Sequence, residues 1–131
     1  MLSELGIGLC NIDQPLFSDS IHPAAHTTSP VGYVRLHGRN YKQWFTENAR
    51  TGDRYNYLYS PAELEPWVAR IKEVAKKTKE TYAVTNNHLN GQATVNALEI
   101  ASYLSGEPVR VPEDLASRYP RLNDIASQPE P

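Results

Sequence analysis

The chain has 131 residues, 40% of them hydrophobic and 21% charged, the composition of one folded domain rather than a disordered tail. Its formal net charge is −2, from 13 basic and 15 acidic residues, which argues against a general polyanion-binding surface and leaves any nucleic-acid contact local. A single cysteine, Cys10, excludes an internal disulfide or a thiolate metal cage and reads as a small apolar strand residue rather than a nucleophile.

In chain order, Gly6–Asp13 reads as a short buried strand ending at Asp13 and stopped by Pro15. Residues 16–30 carry His22, Pro23, His26, serines, threonines and Pro30 without apolar periodicity, a loop of the length that is often functional in compact domains. Val31–Leu36 is a second apolar strand that turns abruptly cationic and nucleophilic at Arg35, His37, Gly38 and Arg39. An irregular stretch follows to Tyr59, with Trp44, Phe45, Tyr55, Tyr57 and Tyr59 implying a loop that is packed down.

Ser60-Pro61-Ala62-Glu63 is a helix start of the capping-box kind with proline in the first turn. The following helix should bury Leu64, Trp67, Val68, Ile71, Val74 and Ala75 and end near Lys77–Lys79, with a bend at Pro66. Thr81–Thr85 is a third strand, ending in Asn86-Asn87-His88. A helix from about Gly91 to Ser105 should turn Ala93, Ala97, Ile100, Ala101 and Leu104 inward and stop at Gly106. A short helix at Pro112–Tyr119 and a frayed end at residues 128–131 complete the pattern. No run approaches the roughly 18 apolar residues of a membrane helix and no basic-plus-apolar leader opens the chain, so a cytoplasmic protein without a membrane partner is expected.

Near-continuously apolar strands alternating with helices are the grammar of a parallel α/β sheet, whose carboxyl edge collects the site. The candidate catalytic residues are His37 and His88, because an imidazole with an ordinary pKa near 6.5 exchanges protons at cell pH; the competing reading is a pair of strand-end histidines held by neighbours. The candidate substrate-binding residues are Asp13, Arg35, Arg39, Asn86 and Asn87. Asp13 is the expected partner of Arg35, in a charge pair that either knits the strand ends or holds substrate. Arg39, beyond Gly38, would bind an anion or stand in solvent. Asn86 and Asn87 offer uncharged donors and acceptors for a carbonyl or sugar hydroxyl, with helix capping as the alternative for Asn87.

Gly91 would let a helix N-terminus approach an anion closely, and Asn96 should bond backbone. Tyr55, Tyr57 and Tyr59 either pack into the core or line an aromatic wall for a sugar or base. Asp13, His37 and His88 are types that suit zinc, manganese or iron, but their spacing matches no ligand signature, so no metal is assigned and no cofactor is indicated. Dinucleotide, phosphate-loop, HExxH and GxSxG signatures do not occur.

The segments Asn11-Ile12-Asp13, Tyr33-Val34-Arg35-Leu36-His37-Gly38, Tyr55-x-Tyr57-x-Tyr59 before Glu63-Leu64-x-x-Trp67, and Thr85-Asn86-Asn87-His88-x-x-Gly91-x-Ala93-x-x-Asn96-Ala97 resemble the YecE-like family, also called domain of unknown function 72. The resemblance spans about residues 5–105 and implies a TIM-type (β/α) barrel. Such barrels take about 250 residues, so it implies that the chain is the carboxyl-terminal part of one: residues 1–110 a partial barrel, 111–131 a terminal helix and tail. A fragment of a longer protein, self-associating or pairing with a missing amino-terminal half, is the expectation. The family has no assigned activity. Two functions follow: an enzyme (hydrolase, lyase or isomerase) acting on a small polar or phosphorylated substrate, or a non-catalytic module binding an anionic ligand or nucleic acid.

Overall fold

In the computed structural model, which describes residues 1–128, three strands pair in parallel in sequence order: β1 (Cys10–Asp13), β2 (Val31–Leu36) and β3 (Glu80–Thr85). Helices α1 (Thr51–Arg54) and α2 (Pro61–Lys76) connect β2 to β3, and α3 (Gln92–Ser105) and α4 (Glu113–Arg118) follow β3. The expected α/β alternation and parallel pairing are therefore present, in a sheet that has three strands among the described residues. Residues 129–131, most of the end expected to fray, lie outside the described residues.

The register decides what each face carries. Asp13 lies beside Leu36, and Leu36 beside Thr85, while Ile12, Arg35 and Val84 form the adjacent row. Since side chains alternate along a strand, Asp13, Val34 and Leu36 share the helix-covered face, and Arg35 shares the other with Tyr33 and Tyr82. That second face is open: Val31 and Tyr82 are exposed.

Helix α2 begins as its sequence demands. The Glu63 amide donates to the Ser60 hydroxyl, and the Glu63 carboxylate accepts from the Ser60 amide at 2.8 Å. Its stripe of Leu64, Trp67, Val68 and Ile71 meets Val34, Leu36, Tyr59 and Ile100 in one core. Ala75 falls outside this stripe and is exposed, being turned about 100° past Val74. The helix also runs through Pro66 as one element. Both Pro66 and Ala62, whose carbonyl loses its partner, are exposed, so solvent can replace the bond.

Three further elements differ from expectation. Strand β1 starts at Cys10, not Gly6, because Gly6 takes a positive φ of 66° and the preceding residues close a turn. Short helix α1 forms within the loop expected to be irregular, its first amide turned to Asp53 Oδ2. Helix α3 buries Val95, Asn96, Glu99, Ile100 and Ser102, whereas Ala97 and Ala101 are exposed. Its orientation is fixed by polar partners for Asn96 and Glu99, which outweigh the small contribution of alanine burial. Gly106 ends it in the left-handed conformation as expected, and α4 falls inside the expected 112–119 span. Among the described residues no helix is long and apolar enough to cross a membrane.

Helix α2 and the sheet approach closely at Gly32, since a Cβ built there would collide with Val74 Cγ1. Gly32→Ala should therefore lower stability by about 1–3 kcal/mol through overpacking. Denaturant unfolding checks this, and an unchanged midpoint would show that α2 is not held where described.

Candidate functional site

The carboxyl ends of the three strands bring Asp13, the Arg35–Arg39 segment and Asn86–His88 to one edge of the sheet, as expected. The structure divides them into a buried layer on the helix side and an accessible cluster on the open side.

The buried layer is organised by Asp13, which is fully buried. Arg39 grips it with two bonds, Nε to Oδ2 at 2.9 Å and Nη2 to Oδ1 at 2.7 Å. The Tyr59 hydroxyl donates to Oδ2 at 2.6 Å and the Trp67 indole to Oδ1 at 3.0 Å. Tyr59 in turn accepts from the Gly38 amide at 2.8 Å. Burial first, and the Asp13 carboxylate second, push the Tyr59 phenol far above its ordinary range, so it remains a donor.

This arrangement corrects two expectations. The partner of Asp13 is Arg39 rather than Arg35, because the register sends Arg35 to the opposite face. Arg39 is thus neither a free anion site nor a solvated side chain: chiefly its hydrogen bond to Asp13, against the cost of burial, holds its charge. Gly38 makes the return possible with a φ of 92°, and a Cβ there would meet Tyr57 Cβ at 2.8 Å.

A second set of buried polar groups anchors the segment before α2. Asn96 accepts from the Tyr59 amide at 3.1 Å and donates to its carbonyl at 3.0 Å, so Asn96 bonds backbone as expected. Arg121 donates to that same carbonyl at 2.6 Å and to Glu99 at 2.8 Å. Asn87 is fully buried and donates to the Tyr57 carbonyl and to Asn96, so it neither caps α3 nor faces the accessible cluster. At Gly91, α4 packs close by: a Cβ there would sit 3.2 Å from Leu115 Cδ1.

The accessible cluster centres on Asn86. Its Oδ1 accepts from Arg35 Nη2 at 3.1 Å, its Nδ2 faces His37 Nδ1 at 3.2 Å, and its backbone carbonyl faces His88 Nδ1 at 3.1 Å. Arginine has no acceptor, so the amide orientation follows, and with it the His37 tautomer, while the backbone carbonyl sets that of His88. His37 Nδ1 accepts, leaving a proton on Nε2. His88 Nδ1 donates to a carbonyl, leaving a lone pair on Nε2. Burial, reinforced by Arg35 and opposed by Asp13, keeps His37 below its usual pKa and hence neutral at pH 7.

Tyr55 lies between the two imidazoles, with ring centroids 5.9 Å from His37 and 5.8 Å from His88. Trp44 packs edge-on against both His37 and Tyr55. The three tyrosines take different places: Tyr55 beside the histidines, Tyr59 in the core, and Tyr57 packed edge-on against Tyr59 while donating to Glu63. Neither Trp44 nor Trp67 stands out in the sequence as a site residue, and Tyr59 does so only within the aromatic wall of three tyrosines. The Tyr-x-Tyr-x-Tyr alternation was the one signal for Tyr59, and Trp44 stands in a loop with no period to reveal it.

No set of three His, Cys, Asp or Glu side chains suited to a metal occurs among the described residues; the Asp13, His37, His88 combination does not assemble, since Asp13 is enclosed by Arg39, Tyr59 and Trp67. Cys10 is half-buried, and burial raises its thiol pKa, which disfavours the thiolate.

The family model for "Protein of unknown function DUF72" matches residues 1–121. The chain belongs to the DUF72 family. This is the family that the Arg35–Gly38 and Asn86–His88 segments point to. The UPF0759 protein YunF of Bacillus subtilis is 31% identical over 77 residues, which are 56% of this chain and 27% of YunF. A solved DUF72 family protein from Thermotoga maritima superposes with a TM-score of 0.73 at 36% identity, covering 79% of this chain and 39% of that one. A second, from Enterococcus faecalis, gives a TM-score of 0.71 at 24% identity, covering 85% of this chain and 43% of that one, a likeness of fold alone. The chain thus spans less than half the length of these DUF72 and UPF0759 relatives.

The buried layer yields a quantitative expectation. Asp13→Asn keeps the shape but leaves Arg39 charged and half-buried without a counter-charge, and should cost about 3–5 kcal/mol of stability. A loss under about 1 kcal/mol in denaturant unfolding would show that the pair is no more than a surface ion pair.

Proposed function

We propose that this DUF72 chain supplies part of a (β/α) barrel, residues 1–110, followed by a terminal segment at 111–131. The Asn86 cluster is then the acid–base site of an enzyme acting on a small polar substrate with an anionic group. The parallel sheet with its exposed, partly aromatic second face supports the barrel, because further strands pairing with β1 or β3 would enclose Tyr33, Arg35 and Tyr82. Such pairing, with other parts of a longer protein or with another copy, is the partnership proposed.

The observation that carries the catalytic reading is the complementarity of the two imidazoles around one asparagine. His88 Nε2 offers a lone pair and is the base. His37 Nε2 offers a neutral N–H and is the hydrogen-bond donor to a substrate oxygen that gains negative charge in the reaction. A neutral imidazole is the better-suited donor here, as its depressed pKa favours. Arg35, whose Nη2 donates to Asn86, is the cation of the cluster and the group suited to hold the anion. A base paired with a neutral hydrogen-bond donor suits an isomerase or lyase.

A binding module for an anionic ligand or nucleic-acid end would use Arg35, Asn86 and the Tyr55 ring without turnover, and the aromatic platform of Tyr55 and Trp44 is what favours it. Substitution separates the two. In the full-length protein, after a thermal-shift screen of metabolites has supplied a substrate, His88→Gln should lower kcat by roughly 10²–10⁴ with affinity little changed. His37→Gln retains an N–H and should lose about tenfold, whereas His37→Ala should lose roughly 10²–10³. Equal activity of His88→Gln and wild type would remove the catalytic reading.

A further inference from the structure

Beside the histidine cluster lies a groove of about 360 Å³, at the small end of ligand pockets. It is walled by Phe17, Trp44 and Phe45 and edged by Gln14, Ser18 and Asp19. Phe17 packs on Phe45, tilted, with centroids 5.0 Å apart and edge-on against Tyr41 at 5.4 Å, so the rings form one aromatic cluster, yet Phe45 remains 74% exposed. Ser20, also in the lining, is spent: its hydroxyl accepts from the Phe17 amide and donates to the Pro15 carbonyl. The Gln14 amide, the Ser18 hydroxyl and the Asp19 carboxylate are left to meet a ligand.

We infer that this groove binds the neutral sugar ring of a saccharide substrate. The argument is one of chemical complementarity. The C–H face of a pyranose carries a slight positive potential and packs against the negative face of aromatic rings. The hydroxyls around its rim are donors, and a carboxylate is the strongest acceptor that can receive two of them, with charge assistance. The lining contains no Lys, Arg or His, and Asp19 would repel a phosphate, so a nucleotide is poorly matched.

Trp44 connects the groove to the Asn86 cluster, since the ring that lines the one packs edge-on against His37 and Tyr55 in the other. A sugar seated on Phe17 and Phe45 therefore has the histidine pair on the far side of a shared wall. The inference rests on the catalytic reading only for what happens there; binding in the groove stands separately. It names the ligand class as a saccharide.

Isothermal titration calorimetry of the protein with a panel of neutral mono- and disaccharides, and with adenosine as comparator, tests this without needing turnover. At least one saccharide should bind saturably, and Asp19→Asn and Phe45→Ala should each weaken it about tenfold or more. Both side chains are exposed, so both variants should keep the wild-type unfolding midpoint, and loss of binding then reports on the groove alone. No saccharide binding in the panel, tighter binding of adenosine, or saccharide binding that survives both substitutions would overturn the assignment. Saccharide binding by these criteria, together with a His88→Gln variant that turns substrate over as fast as wild type, would remove the catalytic reading while leaving the groove assigned.

Discussion

The burial of one carboxylate constrains everything at the strand ends. Asp13 closes β1 on the helix-covered side of the sheet, where an unpaired charge would cost several kcal/mol, and four donors from three side chains converge on it. Meeting that demand dictates the path of the chain. Gly38 must turn back so that Arg39 can reach across the end of β1, and its amide is fixed by Tyr59. Tyr59 must stand at the head of α2, where Asn96 and Arg121 hold its backbone. Segments separated by more than a hundred residues thus share one polar core.

The pairing also shapes the accessible side. With Arg39 committed to Asp13, Arg35 is left on the opposite face with Asn86 as its side-chain partner. Asn86 then transmits orientation to both imidazoles, one through its side-chain amide and one through its carbonyl. Strand-end geometry brings the groups together, but the hydrogen-bond polarity of a single asparagine makes two chemically identical side chains unlike. That difference lets a site with no metal-ligand set among the described residues pair a base with a neutral donor.

The strands, their order and the limits of α2 could be read from the chain because each leaves a local mark: an apolar run, a period of 3.6, a serine three residues before a glutamate. Partner choice could not. Whether Asp13 meets Arg35 or Arg39 depends on a register that shifts by one residue without altering any local pattern. The inward face of α3 was misread for a related reason, since apolar spacing favours the alanines while Asn96 and Glu99 are drawn inward by partners distant in sequence. His37, His88 and Asn86 were legible as strand-end residues of reactive type. Trp44, Phe17 and Phe45 were not legible as a cluster, because loop conformation alone assembles them.

The central claim is that Asn86 gives the two histidines opposite tautomers, and long-range ¹H–¹⁵N correlation NMR of the imidazole rings reads this directly. The account predicts that near pH 7.5 His37 carries its proton on Nε2 and His88 on Nδ1, and that Asn86→Ala, which removes the side-chain donor but keeps the backbone carbonyl, shifts the His37 ring nitrogen signals and leaves those of His88 in place. Two imidazoles in the same tautomer in the wild-type protein, or His37 signals that Asn86→Ala leaves unmoved, would contradict it.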